Sequence, residues 1–175
     1  MNYPCVVHHI YTSPSHNYFT REKFDIGTAP DIEHQKIILE AGLGLPEDRF
    51  AHSPYPITFF SSEIAEEIFD HHKKELDYKL LRRNIIISGI NIQELIGVTF
   101  SIGEVVFEGM KHCNPCPWMN AAIGKGTYKM MKGRGGLRAS VKRGGVLQVG
   151  STYLETSKQL LKNPLEALAI NKLPF

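Results

Sequence analysis

Residues 84–109, NIIISGINIQELIGVTFSIGEVVFEG, change the texture of the chain and decide its fold class. The run NIIIS is β-branched, apolar and too short for a helix, so it reads as a short buried strand. VTFSIGEVVFEG (98–109) reads as two strands around a tight turn at Gly103. Glycines and polar residues interrupt the apolar character, so the segment does not read as a membrane span.

Working outward, LRASVKRGGVLQVG (137–150) reads as a second hairpin, with Gly144 and Gly145 supplying the positive φ of a two-residue turn. The clearest helix follows YPITFF (55–60). Ser62 suits its N-cap, Glu63 and Glu66 its first turn, and Lys73 and Lys74 its C-terminal end, while Ile64 and Ile68 share a face. Near the N-terminus, Val6–Tyr11 reads as a strand, and residues 13–31 as a long surface loop. IEHQKIILEAGLGLPEDRF (32–50) fits either a short helix or a strand, ended by Gly42, Gly44 and Pro46. The tail, residues 157–175, has helical spacing broken at Pro164 and reads as a pair of short helices. The sum is a mainly β domain with barrel-like closure, one inserted central helix and short C-terminal helices, without strand–helix alternation of the βαβ kind. A length of 175 residues suits one domain, 1–175, with a self-sufficient core.

The N-terminus lacks a basic region followed by an apolar run, so no signal peptide is expected. Three cysteines, an odd number, argue against a disulfide framework and for a reducing cytoplasm.

Two of those cysteines stand in EGMKHCNPCPWMNAAIGKG (108–126), on a turn stiffened by Pro115 and Pro117. The C-x-x-C spacing is half of a structural zinc site, but no second pair exists, and zinc is not expected. A thioredoxin-type redox pair would need a helix start in an α/β setting. Cys113 and Cys116 also fit two small buried hydrophobes. A reactive thiolate is the remaining reading, and the cation Lys111 nearby supports it. Of the eight histidines, His16 and His112 sit beside other suggestive residues.

Between Glu108 and Glu155 the chain has no acidic residue, while Lys111, Lys125, Lys129, Lys132, Arg134, Arg138, Lys142 and Arg143 all fall there. Such a segment in an otherwise acidic chain expects an anion. GKGTYKMMKGRGGLR (124–138) lacks the spacing of a nucleotide P-loop, yet glycine-rich backbone beside Arg134 and Arg138 suits a phosphate. Nucleic acid is the alternative partner, in a non-catalytic β-barrel module using the basic 111–143 segment with Trp118 and Tyr128 as stacking surfaces.

Four stretches in order, AGLGLPEDRF (41–50), LRRNIIISGINIQELIGVTFSIGEVVFEG (81–109), CNPCPWM (113–119) and GRGGLRASVKRGGVLQVGS (133–151), resemble the MOSC domain. This is the C-terminal module of molybdenum cofactor sulfurases, and it also occurs as small stand-alone proteins. The resemblance implies a β-barrel-like fold of the pyruvate kinase β-barrel type. It further implies that Cys116, preceded by Pro115, is the family cysteine that carries sulfur as a persulfide or ligates molybdenum in a pterin cofactor; Cys113 is extra. Arg82 and Asn84 match an Arg-x-Asn motif that helps hold the cofactor in MOSC reductases of N-hydroxylated compounds, and Arg49 matches a ligand of the cofactor phosphate. Lys111, Arg134 and Arg138 would complete the basic cradle. The chain departs from the family pattern at Glu47, Arg83 and Ser151, and the Gly-His pair that often follows the aromatic of HNYFTRE is missing. The activity implied is molybdenum-dependent reduction of a small N-hydroxylated substrate or sulfur transfer, with a separate reductase or sulfur-donor protein, because the chain has no flavin, haem or iron–sulfur motif. The family is associated with pyridoxal phosphate binding as well. Neither nucleic acid nor membrane is the expected partner.

Overall fold

A computed structural model describes residues 1–17, 27–161 and 163–165. Its strands are β1 (Asn2–Thr12), β2 (Ile32–His34), β3 (Lys36–Leu39), β4 (Ile57–Ser61), β5 (Ile85–Ser88), β6 (Thr99–Ile102), β7 (Val105–His112), β8 (Leu137–Arg143), β9 (Gly145–Gln148) and β10 (Gly150–Thr156). Seven of them run in the order β10-β6-β7-β8-β4-β5-β1, and β1 pairs again with β10, which closes a barrel. Strand β2 adds to β1, and β3 with β9 makes a separate two-stranded sheet. The mainly β, barrel-like expectation is met.

Three α-helices, α1 (Ser62–His71), α2 (Trp118–Ala122) and α3 (Thr127–Met130), and two short 3-10 turns, Tyr78–Leu81 and Ile92–Leu95, decorate the barrel among the described residues. Strand β4 is buried at every position because both its faces are covered. Ile57 and Phe59 point into the barrel with Ile85, Ile87, Phe100 and Phe107. Phe60 points the other way, with Ile86, onto Ile64 and Ile68 of α1 and onto Trp118 and Met119 of α2. Side chains alternate across a strand, so a continuous apolar run is what a doubly covered strand requires. Phe59, Phe100 and Phe107 fill the lumen with ring centroids 5.2–5.8 Å apart. No helix among the described residues is long and apolar enough to cross a membrane.

Several local expectations are corrected. The cap of α1 is Ser61, whose Oγ accepts from the Ile64 N–H at 3.3 Å, and Ser62 is the first helical residue. Strands β4 and β5 are parallel and joined through α1, so the fold contains one βαβ unit. Strands β8 and β9 are not a hairpin. β8 pairs with β4 and β7, and β9 with β3. Gly144 is the corner between the two sheets, because a Cβ there would lie 2.4 Å from the Leu39 carbonyl oxygen. The ambiguous 32–50 segment forms strands β2 and β3. The predicted tail helices fall on residues 157–175, of which 162 and 166–175 lie outside the described residues, and the described part holds no helix. The surface-loop reading of 13–31 likewise lies outside them at 18–26.

Candidate functional site

Where β1 ends, Ser13, Asp48 and Asn84 tie three segments together. The Asp48 carboxylate is fully buried. It accepts from the Ser13 and Phe50 N–H groups at 2.9 and 3.0 Å and from Asn84 Nδ2 at 3.1 Å. Asn84 Oδ1 accepts from the Thr58 N–H and hydroxyl at 2.9 and 2.7 Å, and its amide also donates to the Tyr11 carbonyl at 3.1 Å. Those bonds use the whole capacity of an asparagine side chain. Asn84 therefore braces the site and is not on the wall of the cavity above it.

That cavity measures about 300 Å³ and is walled by Arg49, Arg82, Arg83, Arg138, Phe50, His16, Cys113, Cys116 and Trp118, among others. Arg49 follows the buried Asp48, with which it makes a 3.6 Å ion pair. One Arg49 terminal nitrogen donates to the Arg82 carbonyl at 2.9 Å, while its buried Nε–H has no partner among the described residues. Arg82 adopts a left-handed conformation, φ 55°, at the end of the turn Tyr78–Leu81. This bend sends its guanidinium to Asp31 and the Ser13 hydroxyl, each at 2.6 Å, and to the Ser15 carbonyl at 2.8 Å. Arg82 and Asn84, two apart in the Arg-x-Asn motif, do not share one strand face, since Arg82 precedes the strand and its backbone is not extended.

Arg83 grips the Gly135 carbonyl through Nε at 3.1 Å and Nη2 at 2.9 Å, and the Leu81 carbonyl through Nη1 at 3.0 Å. Arg138 lies over the Phe50 ring at 4.4 Å, and Arg49 over the same ring at 4.6 Å. Neither Arg83 nor Arg138 has a carboxylate partner among the described residues. Burial, opposed by Asp48, lowers the Arg49 pKa to about 10, so it stays charged at neutral pH. Burial and then Arg49, Arg82 and Arg138 push His16 down to about 4, leaving it neutral and without charge to offer the cavity. Four guanidiniums facing two paired carboxylates make a wall that attracts anions.

The two thiols occupy the same wall. Cys113 directly follows β7, its N–H donating to the Gly136 carbonyl at 2.7 Å. Glycine is required there: a Cβ at 135 would meet the Cys113 carbonyl at 2.5 Å, and one at 136 the Phe59 carbonyl at 2.3 Å. Gly136 also has φ 112°, a region that side chains rarely adopt. Pro117 caps α2, and the Cys116 carbonyl accepts from the Met119 N–H at 3.0 Å. Cys113 is buried and Cys116 half-buried, and neither is in a disulfide.

Of the residues singled out from sequence, Arg49, Arg82, Arg138 and Cys116 line this one cavity. Lys111 does not; its amine stands 4.4 Å over the Tyr55 ring. Arg134 does not either, being held in a double hydrogen bond to Glu67 at 3.0 and 2.9 Å. A carboxylate on α1 draws it away, a pairing that no local pattern announces. Of the two stacking surfaces of the nucleic-acid alternative, Trp118 is only 4% exposed while Tyr128 is half-buried, and Lys142 is paired with Glu108. His112 lies off the cavity, buried against Gln93 at 2.9 Å. Asp48, Phe50 and Arg83 were not singled out, and only the Asp-Arg pair and the departure at 83 could have drawn notice to them. Among the described residues no three His, Cys, Asp or Glu side chains are grouped so as to hold a metal ion.

Residues 47–153 match the family model of the MOSC domain. No curated protein sequence matches the chain. Among solved structures, the YuaD protein of Bacillus subtilis is similar with a TM-score of 0.65 and 15% identity, over 90% of this chain and 99% of that one. YiiM of Geobacillus stearothermophilus gives 0.63 and 15%, over 95% and 80%. YiiM of Escherichia coli gives 0.61 and 17%, over 100% and 80%. At these identities the likeness speaks for the fold.

Proposed function

Because the chain belongs to the MOSC domain family, we propose that its arginine-lined cavity receives a phosphorylated molybdenum–pterin cofactor, or the sulfur destined for one, at Cys116. The observation that carries the reading is the buried Nε–H of Arg49, without a partner among the described residues, in the same cavity as the Cys116 thiol. An unsatisfied buried donor costs about 1–3 kcal/mol, and a phosphate oxygen would satisfy it. Arg138, which has no carboxylate partner among the described residues, offers a second fork to the same group. A thiolate suits a soft metal centre.

When bound, such a cofactor supplies oxygen-atom transfer: an N-hydroxylated substrate, two electrons and two protons give the amine and water. The electrons would come from a separate reductase. The chain's own part is positioning. Arg49 and Arg138 bind the phosphate, Phe50 holds both guanidiniums by ring contact, the Asp48–Asn84 network fixes the loop that carries Arg49, and Cys116 holds the metal. In the sulfur-carrying form the same thiol bears a persulfide.

The test is metal and pterin analysis of the full chain purified from cells that make the cofactor. Near-stoichiometric molybdenum and pterin are expected in wild type. Molybdenum should fall at least about tenfold in Cys116→Ser and Arg49→Met, with thermal melts confirming that both variants fold. Wild-type protein without pterin and without sulfur on Cys116, or molybdenum indifferent to Cys116→Ser, would overturn the reading.

A further inference from the structure

The proposed function uses one thiol, yet the cavity has two. Cys113 and Cys116 both line it, separated by Asn114 and Pro115, while the remaining cysteine, Cys5, is elsewhere on β1. Cys113 is only 2% exposed, so the cavity is the route by which a reactant meets it. Each thiol sits on held backbone, Cys113 through its N–H to Gly136 and Cys116 through its carbonyl to Met119. Arg83 is close by. A methyl group placed on Gly136 would lie 3.4 Å from Arg83 Nε and 3.5 Å from Cys113 Cβ, so those two groups are within about 7 Å of each other. This guanidinium has no carboxylate partner among the described residues and is anchored on the backbone that positions Cys113.

We infer that Cys113 is a second reacting thiol of this site, which releases the sulfur carried on Cys116 as sulfide. The inference rests on the sulfur-carrying form of the proposed function. In the step, the Cys113 sulfur attacks the inner sulfur of the Cys116 persulfide. A Cys113–Cys116 S–S bond forms, and the bond from Cys116 to the outer sulfur breaks. The outer sulfur leaves with the electron pair as hydrosulfide, taking up the proton that Cys113 gives. Arg83 offsets the charge of that leaving group. A dithiol reductant then returns two electrons and two protons to the disulfide and restores both thiols. Two thiols fixed on one wall react as an intramolecular pair, at an effective concentration no free thiol reaches. The C-x-x-C spacing, read from sequence as a redox pair that lacked its usual setting, thereby gains a use in a β-barrel.

The experiment needs no molybdenum. Reduced full-length protein is loaded with inorganic polysulfide, desalted, and followed by intact mass, peptide mapping and sulfide assay without added thiol. Wild type should gain one sulfur atom on Cys116, then release one sulfide per chain and end with a mapped Cys113–Cys116 disulfide. Cys113→Ser and Cys113→Ala should load the same sulfur and retain it at least about tenfold longer. If sulfide leaves the variants at the wild-type rate, or leaves wild type without that disulfide, Cys113 has no such role although Cys116 still carries sulfur. If Cys116 takes up no sulfur in any of the three proteins, the sulfur-carrying reading and this inference fall together. Disulfide mapping in wild type decides the matter even if neither variant folds.

Discussion

Cys116 is half-buried while Cys113 is 2% exposed, and the difference sets their access to reagents in free protein. Limited alkylation near neutral pH should label Cys116 at least about fivefold faster than Cys113, as peptide mapping would read it. Equal labelling would mean that the turn opens readily. His112 makes a different kind of prediction. Burial, and then Arg83, push its pKa down to about 4, against about 6.5 in an unfolded chain. Between those values the unfolded chain binds more protons than the folded one, so stability rises with pH across the window. The contribution is complete above about pH 6.5 and is lost as pH falls toward 4. Urea melts should show unfolding free energy dropping by about 2–3 kcal/mol as pH falls across that interval on account of this residue. His112→Leu should flatten the slope, and an unchanged slope would assign the dependence to other groups such as His16.

At the scale of elements, the site depends on how β1, β4 and β5 are bolted together. Asn84 sits at the head of β5 and bonds to Thr58 of β4, to Tyr11 of β1 and to Asp48 of the loop that carries Arg49. Its truncation would leave the Thr58 N–H, the Tyr11 carbonyl and one Asp48 oxygen short of a partner in a place water does not reach. Asn84→Ala should cost about 2–4 kcal/mol in urea denaturation. A loss below about 1 kcal/mol would say that water replaces the amide. The residue thus acts through the geometry of Arg49, and the apolar run after it does the rest of the work by filling both faces of β5.

The whole molecule is a barrel closed by its two ends. Asn2–Val7 of β1 pair with Gly150–Glu155 of β10, and β10 pairs on its other side with β6. Without β10, β1 and β6 would both present bare edges, and Leu154 would be missing from the lumen. Deletion of residues 150–175 should abolish cooperative unfolding and the near-UV circular dichroism of the packed aromatics. A truncated chain with a sharp urea transition would show that the barrel stands open. Because closure joins residues so far apart in sequence, it is also the step in which chain entropy opposes folding most.

What the sequence by itself determined is what short-range chemistry encodes. The apolar run around Ile86, the Gly103 turn, the helix after residue 60 and the proline-stiffened cysteine turn were all legible, whereas strand β4 around Phe59 was not assigned. Arg138 stood out in the basic, glycine-rich stretch, whereas Arg49, Arg82 and Cys116 became site candidates through the resemblance to the MOSC domain. Periodicity and turn chemistry record which residues are buried and where the chain bends. They do not record the partner. Only tertiary structure decided that β9 leaves β8 for β3, that β4 and β5 run parallel, and that Arg134 goes to Glu67 while Arg138 faces the cavity. It also turned Asn84 from a wall residue into a brace and set Arg83 beside Cys113. The physical reason is the same in each case. Strand edges, guanidiniums and amides can satisfy themselves in many ways, and barrel closure selects among them by fixing which groups are within reach.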